Sequence, residues 1–427
     1  MSRSRGTHSV WLAALAAGCL LVACAEEDAG PQFATDPRPT RAPTEVVASA
    51  SPALLPTAAS IATPASFTDL LAVRGAASVV YVVAGNDVWS VPTNGEAAPL
   101  FEPPDGSTIL AVDPSPDQQE VAILLDGSSS ERQTSQVVIV DATGSVLVRV
   151  EAPVGAAATP VASRSRGGPT IDWSPQGDRV LAQLATGEVF QILADGSDEP
   201  VLLDFDGAAG TVIEPAWSPT GQSIAFISES EDGETRSLRM LDTGTSEITT
   251  VVTPLAGRLV VDFAWLPDGV SLLFTEGGAP GSANTGIDLW RVDASGKNRA
   301  LVVSAGTVAP VARITNLSPS PDGRSVAYAV LVPGSGAPTV DSVWIRSLES
   351  GIGFRIALPS VASVQDIWWT EEGLVVSVVT RPTAQGRPPT QALLQAKRDG
   401  SISALWVAPA EVAAPAGATP AVRPASG

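Results

Sequence analysis

The chain has 427 residues, with 45 acidic and 25 basic side chains and a formal net charge of −20 at pH 7. A surface this acidic repels phosphate backbones, so we expect no nucleic-acid partner. The length exceeds what one continuous hydrophobic core usually holds, which leaves either several domains or an array of repeats.

The first residues have the features of an export signal. Arg3 and Arg5 precede the apolar run VWLAALAAGCLLVA, residues 10–23, which is too short to cross a bilayer. The run ends in LVAC, and a Cys after small residues resembles the lipobox of bacterial lipoproteins. The resemblance implies cleavage between Ala23 and Cys24 and acylation of Cys24, which would anchor the chain to a membrane. The alternative is an ordinary secretory signal cut near Ala23, and in both cases the body is exported.

Removal of residues 1–23 as a lipoprotein signal peptide changes the available chemistry. The only histidine, His8, leaves with this segment, and so does Cys19. A chain without His has no Ser-His-Asp triad, no imidazole base and no His-ligated metal. If Cys24 is acylated, no thiol remains for a nucleophile or a disulfide. We therefore predict a protein that is not an enzyme, has no catalytic residue and holds no metal or cofactor.

The mature chain divides by composition into three parts. Residues 24–66 are rich in Pro, Ala, Ser and Thr, and we expect a disordered linker that holds the body clear of the membrane. Residues 67–409 consist of short apolar or alternating runs broken by Gly, Asp, Pro and Ser, which is typical of β-strands. Residues 410–427 resemble the linker in composition and are expected to form a disordered tail.

Two kinds of turn recur about every fifty residues along 67–409. One follows an alternating strand, and its glycines are Gly95, Gly144, Gly196, Gly244, Gly296, Gly351 and Gly400. The other precedes an apolar strand and contains Pro and Gly, which suit a tight turn because Pro presets φ and Gly accepts positive φ. Counting back one period from its copies reaches Gly75, in a degenerate first unit. The spacing predicts seven units of about four strands, stacked face to face.

These copies resemble the TolB-type β-propeller repeat, a relative of the WD-type repeats. The residues that carry the resemblance are Trp173, Pro175, Gly177, Trp217, Pro219, Gly221, Trp265, Pro267, Gly269, Pro321, Asp322, Gly323, Trp369 and Gly373. The resemblance implies an all-β fold, a single propeller over residues 67–409 with seven blades of four-stranded antiparallel sheets. The alternative is six blades, with residues 67–83 completing the last sheet. Such propellers serve as binding platforms, ligand cups and peptidase gates, so the fold does not name a function.

Three local features are candidate sites, each with a simpler structural interpretation. Asp204, Asp206 and Gly207 form an acidic loop without the later ligands of a calcium loop, which favours a solvated turn. The acidic hairpin at residues 228–237 favours a soluble tip, with docking of a basic partner as the alternative. Trp368 lies beside Trp369, and because neighbours on a strand face opposite ways, we expect one of them to face the channel or a rim.

Together these features predict a lipid-anchored, extracytoplasmic propeller that binds other proteins at the cell envelope. Its expected partners are the membrane, through acylated Cys24, and an envelope protein, with variable rim loops as the recognition surface. A first alternative is a cup for a small ligand, a glycan or a peptide, held by carboxylates and a Trp such as Trp368. A second alternative is a glycan-processing enzyme that works with paired carboxylates alone.

Overall fold

The alternating apolar residues form β-strands throughout the part of the chain that the structure describes. In the computed structural model these residues are 77–129, 132–152, 168–205, 210–278, 286–307, 312–332, 339–356, 358, 361–380, 390–397 and 401–409. All of them belong to the unit Pro56–Gly427, and the unit Met1–Leu55 lies outside the described residues. The predicted signal peptide, acylated Cys24, linker and tail also lie outside them and stay predictions.

Within these ranges the strands form seven consecutive antiparallel groups, here called sheets 1 to 7. Sheet 1 contains β1 (Val79–Ala84), β2 (Asp87–Pro92) and β3 (Ala98–Phe101). Sheet 2 contains β4 (Thr108–Pro114), β5 (Glu120–Ser129), β6 (Arg132–Asp141) and β7 (Val146–Ala152). Sheet 3 contains β8 (Thr170–Trp173), β9 (Arg179–Gln183), β10 (Val189–Leu193) and β11 (Val201–Leu202). Sheet 4 contains β12 (Thr211–Trp217), β13 (Ser223–Glu229), β14 (Arg236–Asp242) and β15 (Ile248–Val252).

The remaining strands follow the same order. Sheet 5 contains β16 (Arg258–Trp265), β17 (Ser271–Gly278), β18 (Ile287–Asp293) and β19 (Ala300–Val303). Sheet 6 contains β20 (Arg313–Pro319), β21 (Ser325–Val332), β22 (Thr339–Ser347) and β23 (Gly353–Ile356). Sheet 7 contains β24 (Val361–Thr370), β25 (Gly373–Thr380), β26 (Gln391–Lys397) and β27 (Ile402–Val407). Sheets 5 and 6 are joined by one parallel pair, between Ile287 and Arg313.

The second strand of a four-stranded sheet is apolar on both faces because both faces are covered. In β13, Ile224 and Phe226 pack in a cluster with sheet 3, whereas Ala225 and Ile227 pack with sheet 5. All four side chains are at most 1% exposed. Each such sheet therefore fills the space between its two neighbours, which is the face-to-face packing that the double-sided apolar strands predict.

The last sheet closes onto the first. Val80 and Val82 of sheet 1 share one hydrophobic cluster with Trp368 and Val375 of sheet 7. The backbone N–H of Ala77 donates to the carbonyl of Trp369 at 3.3 Å. All four strands of sheet 7 come from residues 361–407, so among the described residues no strand is exchanged between the ends. The prediction of an all-β propeller of antiparallel sheets is confirmed, and its blade count stays a prediction because sheet 1 has three strands within the described residues.

Sheet 1 differs from the sequence-based alignment in one respect. The N–H of Thr93 donates to the carbonyl of Ser78 at 3.0 Å, as that of Ala194 does to Asp178 in sheet 3 at 2.9 Å. Ser78 is therefore the counterpart of Asp178, which directly follows the turn glycine Gly177 in sheet 3. The residue before Ser78, Ala77, takes the glycine position in sheet 1, and the assignment of this position to Gly75 is wrong by two residues. The strand β1 pairs with β2, so residues 79–83 belong to sheet 1, and residues 67–76, which the six-blade alternative also assigns to the last sheet, lie outside the described residues.

Candidate binding rim

The two ends of the sheets differ in the length of their connections. At one end, first strands join second strands and third strands join fourth strands through turns of two to seven residues. At the other end, the connections contain two to 17 residues, and the longest spans 153–169 between β7 and β8. Because antiparallel strands alternate in direction, the longer connections all leave the same end. We call this end the loop rim and the opposite one the turn end.

The turn end contains the residues predicted as the repeat signature. Gly177, Gly221, Gly269 and Gly323 lie in its turns with φ from 66° to 72°. The prolines Pro175, Pro219, Pro267 and Pro321 lie in the same four turns, whereas Gly373 begins β25. The carboxylate of Asp322 accepts bonds from the Ser320 hydroxyl and the Arg324 N–H. These residues shape turns, and the structure gives them no contact that suggests a site.

The signature tryptophans connect neighbouring sheets. The Nε1–H of Trp173 donates to the carbonyl of Asp113 at 2.9 Å, and that of Trp369 donates to Ser318 at 2.9 Å. Both side chains are at most 3% exposed, and Trp217 is 6% exposed. Trp265 is partly buried, and its Nε1–H lies 3.4 Å from the carbonyl of Ala216. Each aromatic ring therefore packs between two sheets.

Carboxylates on the first strands form a second set of bonds between sheets. Asp113 Oδ2 accepts from the N–H of Trp173 at 2.9 Å, and Asp172 Oδ2 accepts from Trp217 at 2.7 Å. Asp262 Oδ2 accepts from Leu317 at 3.3 Å. Sequence reasoning missed these aspartates, although an acidic residue near the end of an otherwise apolar strand is a visible signal. Part of the large negative charge is therefore structural.

Two first strands also carry strained backbone. Glu214 and Asn316 have φ of 51° and 55°, in bulges of β12 and β20. A left-handed conformation costs a residue other than glycine about 1–3 kcal/mol, and bulges are common beside functional sites. Asn316 Nδ2 donates to the carbonyl of Gln365 at 2.7 Å, which ties sheet 6 to sheet 7. Both bulged side chains are partly exposed.

The most deeply buried charge of the loop rim is Glu276, at the end of β17. Its side chain is fully buried, with the guanidinium groups of Arg258 and Arg299 beside Oε2. Its Oε1 accepts the N–H of Leu255 at 2.8 Å, in the connection between sheets 4 and 5. A fully buried carboxylate needs such partners, because desolvation otherwise disfavours its charge.

Asp288 completes this cluster of two acids and two arginines. Its Oδ2 lies 2.8 Å from Nη2 of Arg258, and its Oδ1 accepts the N–H of Ala305 at 2.8 Å. Ala305 begins a 3₁₀ turn, Ala305–Thr307, in the connection from sheet 5 to sheet 6. Arg299 lies over Trp290, with 4.3 Å from Cζ to the ring centroid. The charges of the four side chains balance, and the backbone bonds of Glu276 and Asp288 fix two connections of the loop rim.

The acidic hairpin of sheet 4 is internally structured. Glu229 pairs with Arg236 at 2.7 Å. The hydroxyl of Ser230 and the N–H of Glu234 donate to Asp232, and these bonds lower the pKa of its carboxyl group. Glu231 stays exposed at the tip. These contacts suit a soluble hairpin tip, with the exposed acids Glu231 and Glu234 available to a partner.

The structure also bears on two further hypotheses from the sequence, the exposed tryptophan and the acidic loop. Trp368 and Trp369 are 4% and 1% exposed, so the expectation that one of them faces the channel or a rim is wrong. Both rings are needed for packing, since Trp368 faces sheet 1 and Trp369 faces sheet 6.

Of the acidic loop, Asp204 is described, whereas Asp206 and Gly207 lie outside the described residues. Among the residues described, no group of three or more Cys, His, Asp or Glu could hold a metal ion.

In the described ranges, no helix has the length and hydrophobicity needed to cross a membrane.

Known proteins resemble this chain in fold. No protein-family model and no curated protein matches it. It is similar to a prolyl endopeptidase structure with a TM-score of 0.52 at 12% identity, over 82% of this chain and 52% of that one. It is also similar to oligogalacturonate lyase from Vibrio parahaemolyticus with a TM-score of 0.48 at 11% identity, over 76% of this chain and 84% of that one. Its similarity to the tricorn protease has a TM-score of 0.45 at 10% identity, over 78% of this chain and 40% of that one.

These proteins contain propellers. The chain spans about half the length of the prolyl endopeptidase that it matches. At these identities the likeness extends to the fold, and propellers with this fold include both binding proteins and enzymes.

Proposed function

We propose that this protein is an exported, lipid-anchored propeller of the TolB type that binds another protein at the cell envelope and catalyses no reaction. The observation that carries the proposal is the contrast between the two ends of the ring. The turn end is occupied by short turns and intersheet bonds, whereas the loop rim carries the connections of up to 17 residues. Recognition in rigid scaffolds is concentrated on such loops.

The buried charge cluster supports a recognition surface rather than a reaction centre. Glu276 and Asp288 are neutralised by Arg258 and Arg299, and their remaining oxygens accept backbone N–H groups. A general acid or base has to exchange a proton with a substrate, and these carboxylates are committed to structural partners. The cluster instead holds two rim connections in place, and a fixed rim binds a partner with a smaller loss of conformational entropy.

The anchor is supported by the sequence LVAC around Cys24. Cys24→Ser should release the protein from the membrane fraction without abolishing its export. A variant that stays in the membrane fraction would contradict the lipid anchor. This measurement is independent of partner binding.

Partner binding is tested by site-specific photocrosslinking in the producing cell. A photoreactive residue replaces Glu231, exposed on the loop rim, or Glu349, exposed on the turn end. We expect one defined crosslinked protein from position 231 and none from position 349, because both side chains are exposed but only position 231 lies on the proposed recognition surface. Crosslinks from position 349 alone, or equal crosslinks from both, would overturn the assignment to the loop rim.

A further inference from the structure

Among the residues whose side chains the structure describes, Arg313 is a partly buried cation without an acceptor. Its Nε is shielded from solvent and makes no hydrogen bond, and within the described part of the chain its guanidinium forms no ion pair. The other arginines with described side chains interact with another residue or are exposed. They are Arg149, Arg179, Arg236, Arg239, Arg258, Arg291, Arg299, Arg324, Arg346 and Arg355. A guanidinium nitrogen that is shielded from water without gaining a partner is costly, so its presence needs an explanation.

The fold does not require a cation at this position. Arg313 pairs with Leu331, the seventh residue of β21, and in sheet 5 the seventh residue of β17 is Gly277, which pairs with Leu259. Leu259 is therefore the counterpart of Arg313 in the neighbouring sheet, and it is buried at 5% exposure. An apolar residue satisfies the packing of this position. The charge of Arg313 is thus an addition that packing does not explain.

The backbone of Arg313 is held on both sides. As the first residue of β20 it lies at the loop rim, paired with Leu331 on one edge and with Ile287 on the other. The N–H of Ile287 donates to the carbonyl of the preceding residue, Ala312, at 3.1 Å. The side chain therefore starts from a fixed point, which lowers the entropy lost when it binds a ligand.

We propose that Arg313 anchors a binding site for a carboxylate group at the loop rim. The guanidinium fork matches a planar oxyanion and donates two parallel N–H bonds to it. The net charge of −20 favours a singly charged group, because a doubly charged phosphate is repelled more strongly. The ligand class is a molecule or peptide end that carries one free carboxylate. This inference rests on the loop rim as the proposed recognition surface and names the chemistry recognised there.

The test measures carboxylate binding to the purified mature chain without any partner protein. Acetate is titrated against chloride at constant ionic strength, and the melting temperature is followed, since a ligand of the native state raises it. A parallel titration uses phosphate, and a third compares a short peptide with a free or an amidated C-terminus. The variants are Arg313→Leu, which introduces the residue found in sheet 5, and Arg313→Lys. The control is Arg324→Gln, an exposed arginine at the turn end.

We expect acetate and the free-ended peptide to raise the melting temperature of the wild-type chain and of Arg324→Gln equally. Arg313→Leu should fold with an unliganded melting temperature at least equal to that of the wild type and should lose at least tenfold in acetate affinity. Arg313→Lys should bind with intermediate affinity, because the charge remains and the fork is lost.

Four results would overturn the proposal: no response of the wild type, an unchanged response in Arg313→Leu, failure of Arg313→Leu to fold, or phosphate binding as tight as acetate. Because acetate binding is read without a partner protein, its failure stays distinguishable from a failure of crosslinking at the loop rim.

Discussion

The contact between the turn of sheet 2 and the outer strand of sheet 1 yields a prediction with a matched control. Gly144 has φ of +85°, and a Cβ at this position would overlap the carbonyl oxygen of Leu100, with the carbonyl carbon at 3.1 Å. Gly106 has nearly the same φ, +81°, but a Cβ there would meet nothing within 4 Å. The pair separates the cost of the backbone conformation from the cost of the intersheet clash.

The expected losses follow from these two terms. A left-handed conformation costs alanine about 1–2 kcal/mol, which is the whole effect for Gly106→Ala. Overpacking adds about 1–3 kcal/mol for Gly144→Ala, because a backbone carbonyl cannot move away as a flexible side chain can. The free energy of unfolding should therefore fall by about 2–5 kcal/mol in Gly144→Ala.

Urea denaturation followed by tryptophan fluorescence measures both losses, with the slope of the transition as a check that the unfolded state is unchanged. Equal losses in the two variants would show that sheets 1 and 2 do not press on each other at this turn, and the intersheet explanation would be wrong.

Three further outcomes are expected. Glu276→Gln should lower the free energy of unfolding by about 3–5 kcal/mol, because Arg258 and Arg299 lose a buried carboxylate. The control Glu231→Gln changes an exposed side chain and should alter the free energy of unfolding by less than about 0.5 kcal/mol. Similar small effects in both variants would contradict the burial argument. Trp173→Phe should destabilise the chain by about 1 kcal/mol more than Trp217→Phe, because Nε1 of Trp173 donates a hydrogen bond and Nε1 of Trp217 does not. Thermal unfolding of the two variants measures this difference. Burial raises the pKa of Tyr328 to about 12 and raises that of Tyr81, so an ultraviolet titration of the native protein should show little tyrosinate at pH 10, and early titration of either phenol would refute its burial.

Local turn chemistry made much of the fold predictable from the sequence. Gly177 and its counterparts mark the turns because positive φ is easy only for glycine, and their regular spacing gave the repeat. The same logic fails where a residue other than glycine takes the turn position. Gln118 takes the turn position in sheet 2 with φ of 59°, and Ala77 takes it in sheet 1. Of these two units without a glycine at the turn position, only sheet 1 was misaligned, because Gly75 lies two residues away from that position.

The candidate site was less predictable, because its contacts depend on how sheets meet. Asp172 accepts a bond from Trp217, 45 residues away, and no local pattern gives the distance between two strands of different sheets. Either Trp368 or Trp369 was expected to face the channel or a rim because alternation on an isolated strand leaves one side open, but sheets 1 and 6 cover both sides. Glu276 carried a usable signal, a single acid in the apolar strand SLLFTEGG, which indicates a buried ion pair.

Closure without an exchanged strand has a consequence for the order of the chain. Ala408, near the end of β27, packs in the same cluster as Val80 of β1, and Ala77 bonds to Trp369. The first and last described strands are therefore neighbours, and the described part of every sheet is made of strands that follow one another in the chain. A circularly permuted gene that links residue 409 to residue 77 and opens the chain within 153–169 would keep every described strand pair. The ring should thus accept new termini at its longest connection, which makes it a scaffold into which another domain can be inserted.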